Sequence, residues 1–281
     1  MTRLIVNADD FGLTAGVNRA VVELNAAGVL TSTTLMALAG ATRDAIEKAL
    51  ATPELSVGCH IVLVDGEAVL PPRRIPSLID NQTGKFLPGM GAFLARLFTG
   101  RMRAAEIEAE AKAQIERLQD RGLTLTHVDT HKHTHMFPMV LRAVLRAARS
   151  CGIRAIRNPF EPAWAVEAAQ ETAWMRAAQV TLLRLFEPRC RRILKEAEFA
   201  TTDGTIAVAG TGRLNAAAVR ALLGRAPQGT WELVTHPGYN DPDLDRVRTR
   251  LRASRDIERE ALRALKEFPE LELISFADLI R

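Results

Sequence analysis

All six histidines of this 281-residue chain stand in three short segments. Four fall within His127-Val128-Asp129-Thr130-His131-Lys132-His133-Thr134-His135, while His60 closes Val57-Gly58-Cys59-His60 and His236 opens His236-Pro237-Gly238-Tyr239. A fourth polar cluster, Asn7-Ala8-Asp9-Asp10, follows the apolar run Leu4-Ile5-Val6. Imidazole and carboxylate are the side chains that bind a divalent metal and move protons near neutral pH. Drawn together from separated segments, they are what a metal-dependent hydrolase needs.

His127, Asp129, His131, His133 and His135 share one parity. In an extended strand they would line one face over roughly 26 Å, far more than a single metal site can use. The strand must therefore end inside the segment, and only one or two of these imidazoles can reach a common metal. His131, just beyond the strand, is the best placed; His133 and His135 are expected to line the pocket or pin the loop. Asp9 and Asp10 allow two readings. They could cap the next helix, although Thr14 is well placed to start it. Alternatively, one carboxylate binds the metal while its neighbour holds a water as general base. Cys59 points away from His60 in a strand and is expected in the core.

The elements that must carry these groups alternate. Short apolar runs predict strands at Arg3–Asn7, Ser32–Ala37, Leu55–Leu63, Leu125–Asp129, Ile153–Arg157, Phe199–Thr202, Trp231–Thr235 and Leu271–Ser275. Amphipathic segments between them predict helices at Thr14–Ala27, Ala41–Ala51, Ala104–Asp120, Pro138–Ser150, Glu171–Glu198 with a break at Pro188, Asn215–Leu223 and Arg248–Lys266. About eight repeats argue an α/β fold closed as a (β/α) barrel, with a doubly wound open sheet as the alternative. Asp9 and Asp10 follow the first strand, His60 lies late in the third, Asp129 and His131 end the fourth, Arg157 ends the fifth and His236 follows the seventh. Sites spread over the C-terminal ends of many strands favour the barrel over a single switch point. The Pro- and Gly-rich stretch Asp65–Gly100 leaves from the same end and is read as a lid-like insertion, a solvated insertion being the alternative.

Composition narrows the classes. A hydrophobic fraction of 47% and a charged fraction of 25% are those of an ordinary soluble globular chain. The net charge of +4 comes from dispersed arginines, and aromatics make up only 5%, so no nucleic-acid partner is expected. Three cysteines, Cys59, Cys151 and Cys190, form neither a disulfide framework nor a Cys-x-x-Cys pair. No apolar run reaches the ~20 residues of a membrane span, which predicts no stable membrane insertion and, with reduced thiols, a cytoplasmic setting. Near Trp174–Glu198, Arg176, Arg184, Arg189, Arg191 and Arg192 accompany Leu182, Leu183, Leu185 and Phe186. That pattern suits a membrane-surface segment or a surface helix with its apolar stripe in the core.

Taken together, Asn7-Ala8-Asp9-Asp10-Phe11-Gly12, Gly58-Cys59-His60, the run His127 to Pro138 and His236-Pro237-Gly238-Tyr239 resemble the YdjC-like carbohydrate deacetylases, the family of ChbG and HpnK. Thr31-Ser32-Thr33-Thr34 also fits that family's second strand. The resemblance runs in order across nearly the whole chain. It implies a distorted TIM-like (β/α) barrel forming a single domain over residues 1–281, a divalent metal held by one Asp and two His, and hydrolysis of N-acetyl groups on amino sugars. Residue by residue, it implies Asp10, His60 and His131 as metal ligands, Asp9 as general base and His236 as general acid. Arg157 matches a basic position that orients the catalytic Asp.

One carboxylate and two imidazoles suit zinc, and magnesium is commonly attributed to this family, so either divalent ion is expected. Val64-Asp65-Gly66 with Leu70-Pro71-Pro72 and Ile75-Pro76 resembles the hopanoid-associated branch, whereas His236-Pro237-Gly238-Tyr239 resembles the chitooligosaccharide branch. The substrate is thus expected to be an N-acetylated amino sugar, in an oligosaccharide or a glycolipid. Two rivals stand beside this reading. A phosphoesterase on the same barrel would want more carboxylates to bridge two metals, and a non-catalytic sugar-binding protein would have no use for Asp9 and His236. A homodimer is the default assembly for such enzymes.

Overall fold

The computed structural model describes residues 2–169, 181–247 and 249–280. Its strands are β1 (Thr2–Phe11), β2 (Ser32–Leu35), β3 (Ser56–Ile61), β4 (Val128–Thr130), β5 (Gly204–Ile206), β6 (Gly229–Thr235) and β7 (Glu272–Ile274). The helices are α1 (Ala15–Ala26), α2 (Thr42–Leu50), α3 (Gly89–Phe98), α4 (Ala104–Gln119), α5 (Pro138–Ser150), α6 (Ala163–Ala168), α7 (Glu187–Glu196), α8 (Ala216–Leu223) and α9 (Ser254–Ala261). All strand pairings are parallel, in the order β4-β3-β2-β1-β6-β5. β6 runs along one edge of β1 from Thr2 to Ala8. The opposite edge is shared, β7 taking Arg3–Ile5 and β2 taking Asn7–Phe11. Leu4 to Phe11 and all of β2 and β3 are buried, as parallel strands covered on both faces must be.

The sheet curls into a distorted TIM-like barrel. Single bridges, Val128 to Ile156 and Ala155 to Ala200, continue the curl beyond β4. The expected strands Ile153–Arg157 and Phe199–Thr202 are thus reduced to bridge contacts, and the ladder strand on that side is Gly204–Ile206, which periodicity missed. Of the expected helix Glu171–Glu198, residues 171–180, with Trp174 and Arg176, lie outside the described residues, as does Arg248. In the described part residues 181–183 are helical, a 3-10 turn follows over Arg184–Phe186, and Pro188 sits in the first turn of α7, where its missing N–H costs nothing. Leu182 and Leu185 are exposed, while Leu183 and Phe186 pack against the core. Among the described residues no helix is long and apolar enough to cross a membrane.

Residues 65–100 are ordered. Ile75, Leu78, Ile79, Phe86, Leu87 and Phe93 are buried in the main core, and the segment ends in α3, which Gly89 and Gly91 conceal from a propensity reading. One face of α4 pins its backbone. Glu110 accepts from Val69 N at 2.8 Å and Leu70 N at 2.9 Å, and Glu106 accepts from Ser77 N at 2.7 Å. Gln114 adds a two-way pair with Val62. Charged and amide groups at 106, 110 and 114 recur every four residues, so one helical face satisfies the polar backbone of a stretch that has no ladder of its own.

Candidate active site

β1 delivers two adjacent carboxylates through a bulge. Ala8 pairs with Thr33 and Phe11 with Leu35, so Asp9 and Asp10 together oppose only Thr34. Asp10 takes φ 65°, which turns the chain by the one extra residue. In a regular strand neighbouring side chains would face opposite ways; here both carboxylates serve the same centre.

β3 places His60 and β4 places Asp129 directly beside it in register. β4 ends at Thr130, as the parity of the histidine segment requires, and residues 131–136 form a 3-10 turn with Lys132 and His133 left-handed at φ 56° and 53°. This turn swings His131 back over the strand end. Asp10 Oδ1 then lies 3.6 Å from His60 Nε2 and 3.6 Å from His131 Nδ1, and those two nitrogens are 3.3 Å apart. Donors about 2.1 Å from one ion at near-tetrahedral angles stand roughly 3.4 Å apart, so these three residues fit a divalent metal. His60 Nδ1 is 2.7 Å from Asp129 Oδ1, which places the ring proton there and turns the Nε2 lone pair toward the other two donors.

Asp9 is bound on both oxygens by Arg157, Nη1 to Oδ2 at 2.8 Å and Nη2 to Oδ1 at 2.6 Å. Asn7 Nδ2 adds a bond to Oδ1 at 2.9 Å. Arg157, fully buried, also meets Asp129 Oδ2 at 2.6 Å and donates from Nε to Glu232 Oε1 at 2.7 Å. Across the centre, His236 follows β6 with Nε2 3.9 Å from Asp9 Oδ2 and Nδ1 3.8 Å from Glu258 Oε2. The sequence-predicted residues Asp9, Asp10, His60, His131, Arg157 and His236 therefore converge on one centre at the C-terminal end of the strands. The side chains of His131 and His236 keep 24% and 12% of their surface, against 7% or less for Asp9, Asp10 and His60, so the opening lies between those two imidazoles.

A model of YdjC-like proteins matches residues 3–269. The chain belongs to the YdjC-like family. A carbohydrate deacetylase of Thermoanaerobacter pseudethanolicus is 28% identical over 262 residues, 93% of this chain and 91% of that one. Another, from Brevibacillus brevis, is 39% identical over 158 residues, and the chain spans only 60% of its length in that match. A candidate cellobiose-phosphate cleavage protein of Enterococcus faecalis has the same fold, with TM-score 0.78 at 23% identity over 99% of this chain and 98% of the other.

In this YdjC-like centre the charges are ordered by burial and partners. Burial raises Asp9, but the Arg157 fork outweighs it and holds the carboxyl far below the usual range. Burial likewise raises Asp10, and Arg255 and His131 bring it well down. For His236 burial works against the charged form, and Glu258, with Asp9 and Asp10 beyond it, lifts the imidazole above its ordinary value. His135 is pushed down to about 4 by burial. As a neutral ring it donates from Nε2 to Arg157 O at 3.1 Å and receives the Thr130 hydroxyl at Nδ1, 2.7 Å away, so it pins the turn. His127 is buried and stacked on Phe276 at 3.8 Å.

Four groups of this centre escaped sequence reasoning. Asp129 stood in the histidine segment without a role, and Glu232, a carboxylate inside a buried parallel strand, was a readable signal. Arg255 and Glu258 sit on a helix rich in charged residues, where nothing in the sequence separates a buried charge from a solvated one.

Proposed function

We propose that this protein is a divalent-metal-dependent carbohydrate N-deacetylase that removes acetate from an N-acetylated amino sugar. The observation that carries the reading is the triad of Asp10, His60 and His131 donors, 3.3–3.6 Å apart, flanked by an ionised carboxylate and an imidazole. Its relatives named carbohydrate deacetylases support the sugar amide as substrate. Zinc or magnesium, held by Asp10, His60 and His131, would polarise the amide carbonyl and acidify a bound water. Asp9, kept ionised by Arg157, would accept the proton of the attacking water. His236 donates its proton from Nε2 to the sugar nitrogen, which leaves as an amine. Glu258 and Asp9 on either side of the ring favour the charged form that this donation needs.

We also assign residues 65–100 as a cover over the sugar-binding side of a cytoplasmic, single-domain enzyme. Its base is tied to the histidine turn by the ion pair of Asp65 with Lys132, the neighbour of His131. The α4 carboxylates described above favour a fixed wall over a swinging lid.

The test is acetate release from N-acetylglucosamine, its disaccharide, longer chitin-type oligomers and an N-acetylglucosaminyl lipid, using chelated protein with zinc or magnesium restored, beside Asp9→Asn. Metal-dependent acetate that disappears in Asp9→Asn is expected, and the series ranks the substrates. No acetate from any of them, with the ion still bound, would remove the proposed reaction.

A further inference from the structure

We propose that α9 is the positioning element of this centre, with Arg255 setting how Asp10 presents its oxygens and Glu258 setting the orientation of His236. The inference rests on the metal and acid roles proposed above and adds two residues to them. Arg255 and Glu258 are one turn apart, so they leave the same face of α9; both are at most 1% exposed, while Ile257 on the opposite face is 52% exposed. Burying a guanidinium and a carboxylate side by side is costly unless each has a strong partner.

Each has one. Arg255 Nη2 donates to Asp10 Oδ2 at 2.6 Å. That occupies one oxygen and leaves Oδ1 as the atom 3.6 Å from both His60 Nε2 and His131 Nδ1. Asp10 is left-handed at φ 65°, a conformation that needs an outside hold. Glu258 Oε2 accepts the His236 backbone N–H at 2.6 Å and lies 3.8 Å from Nδ1 of the same residue. The ring axis consequently runs from Glu258 to Asp9, with Nε2 directed at Asp9. The His236-Pro237-Gly238 motif fits this docking. Gly238 N donates to Arg255 O at 3.2 Å, and a Cβ at Gly238 would come within 3.1 Å of Arg255 Cδ and of Val17. Glycine there lets the loop after β6 lie against the stem of Arg255.

Neither residue touches the position of a reacting atom, so each acts through its partner, and different measurements read the two. In Arg255→Met, titration with zinc or magnesium alone should show at least tenfold weaker binding, with Arg255→Lys recovering most of it. Removing a nearby positive charge without any positioning role would instead tighten binding, so equal or tighter binding overturns the assignment. Arg255→Gln replaces the Met variant if the latter does not fold. Glu258→Gln keeps an acceptor for the His236 N–H but loses the charge. Its ion affinity should stay at the wild-type value while kcat falls at constant KM. The alkaline limb of the rate profile, set by His236 facing Glu258, Asp9 and Asp10, should move down by roughly one pH unit. An unmoved limb with unchanged kcat overturns the role of Glu258. If the wild-type protein itself binds no ion and releases no acetate, the functional reading fails; a normal wild type with indifferent variants defeats only the positioning inference.

Discussion

Glu232→Gln should make the protein progressively more stable than wild type as the pH rises from about 4.5 to 7, and leave it nearly unchanged below that range. Glu232 is fully buried on β6, with Oε1 2.7 Å from Arg157 Nε and Oε2 3.4 Å from Thr205 Oγ1. Arg157 must serve Asp9 and Asp129 as well, leaving three carboxylates around one guanidinium. Burial raises Glu232, Arg157 lowers it, and the charges of Asp9 and Asp129 raise it again, leaving it at about 7 against 4.5 for the free side chain. The folded protein thus holds this proton more tightly than the unfolded chain does. The corresponding stability is fully present below pH 4.5 and is lost as the pH rises through 7. A gap of 2.5 units, from 4.5 to about 7, at about 1.4 kcal/mol per unit, makes the whole effect about 3 kcal/mol. Glutamine keeps a carbonyl oxygen for Arg157 Nε and never ionises. Urea unfolding of chelated wild type and variant at pH 5, 6, 7 and 8 gives a difference curve in which titrating groups that do not interact with Glu232 cancel. The variant should gain steadily on the wild type, by a few kcal/mol in total. Parallel curves, or a variant weaker at pH 8, would show that Glu232 ionises normally and that the reasoning is wrong.

Three further outcomes are expected. Asp129→Asn removes the charge that fixes the His60 ring, 2.7 Å from Nδ1, and should weaken zinc or magnesium binding by about 10–100-fold; calorimetric titration with an unchanged affinity would contradict the tautomer assigned here. Gly58→Ala would place a Cβ 2.6 Å from the His127 ring, itself stacked on Phe276. It should lower stability by about 1–3 kcal/mol, and a denaturation midpoint equal to wild type would show that the ring can move. Lys132→Gly relieves a left-handed residue at φ 56°, a conformation that disfavours side chains by roughly 1–2 kcal/mol, and loses a part-exposed ion pair worth at most about 1 kcal/mol. Stability should hold or rise; a clear fall in the unfolding midpoint would mean that the Asp65 tie secures much more of residues 65–100 than one contact.

Asp9, Asp10, His60, His131, Arg157 and His236 were visible in the sequence because their chemistry is marked by type and local spacing. Five alternating positions in one strand could not all reach one point, and β4 does end at Thr130, with the turn carried by Lys132 and His133. What spacing could not show is the bulge that aims Asp9 and Asp10 at the same centre, since a bulge exists only between two strands, here β1 and β2. The strands near 153–157 and 199–202 were over-read for a related reason: an apolar run specifies burial, and whether it forms a full ladder depends on the partner's length. Arg255 was illegible because its partner, Asp10, lies 245 residues away and a charge on an amphipathic helix ordinarily points to water. The local sequence therefore names the groups that meet at this centre, whereas their charge states depend on partners distant in sequence. Arg157 keeps Asp9 ionised, Asp129 fixes the proton of His60, and Arg255 leaves Asp10 a single free oxygen. Chains that share the four motifs can accordingly differ in the charge states of this centre through positions that no motif contains, and 157, 232, 255 and 258 are where this structure locates such differences.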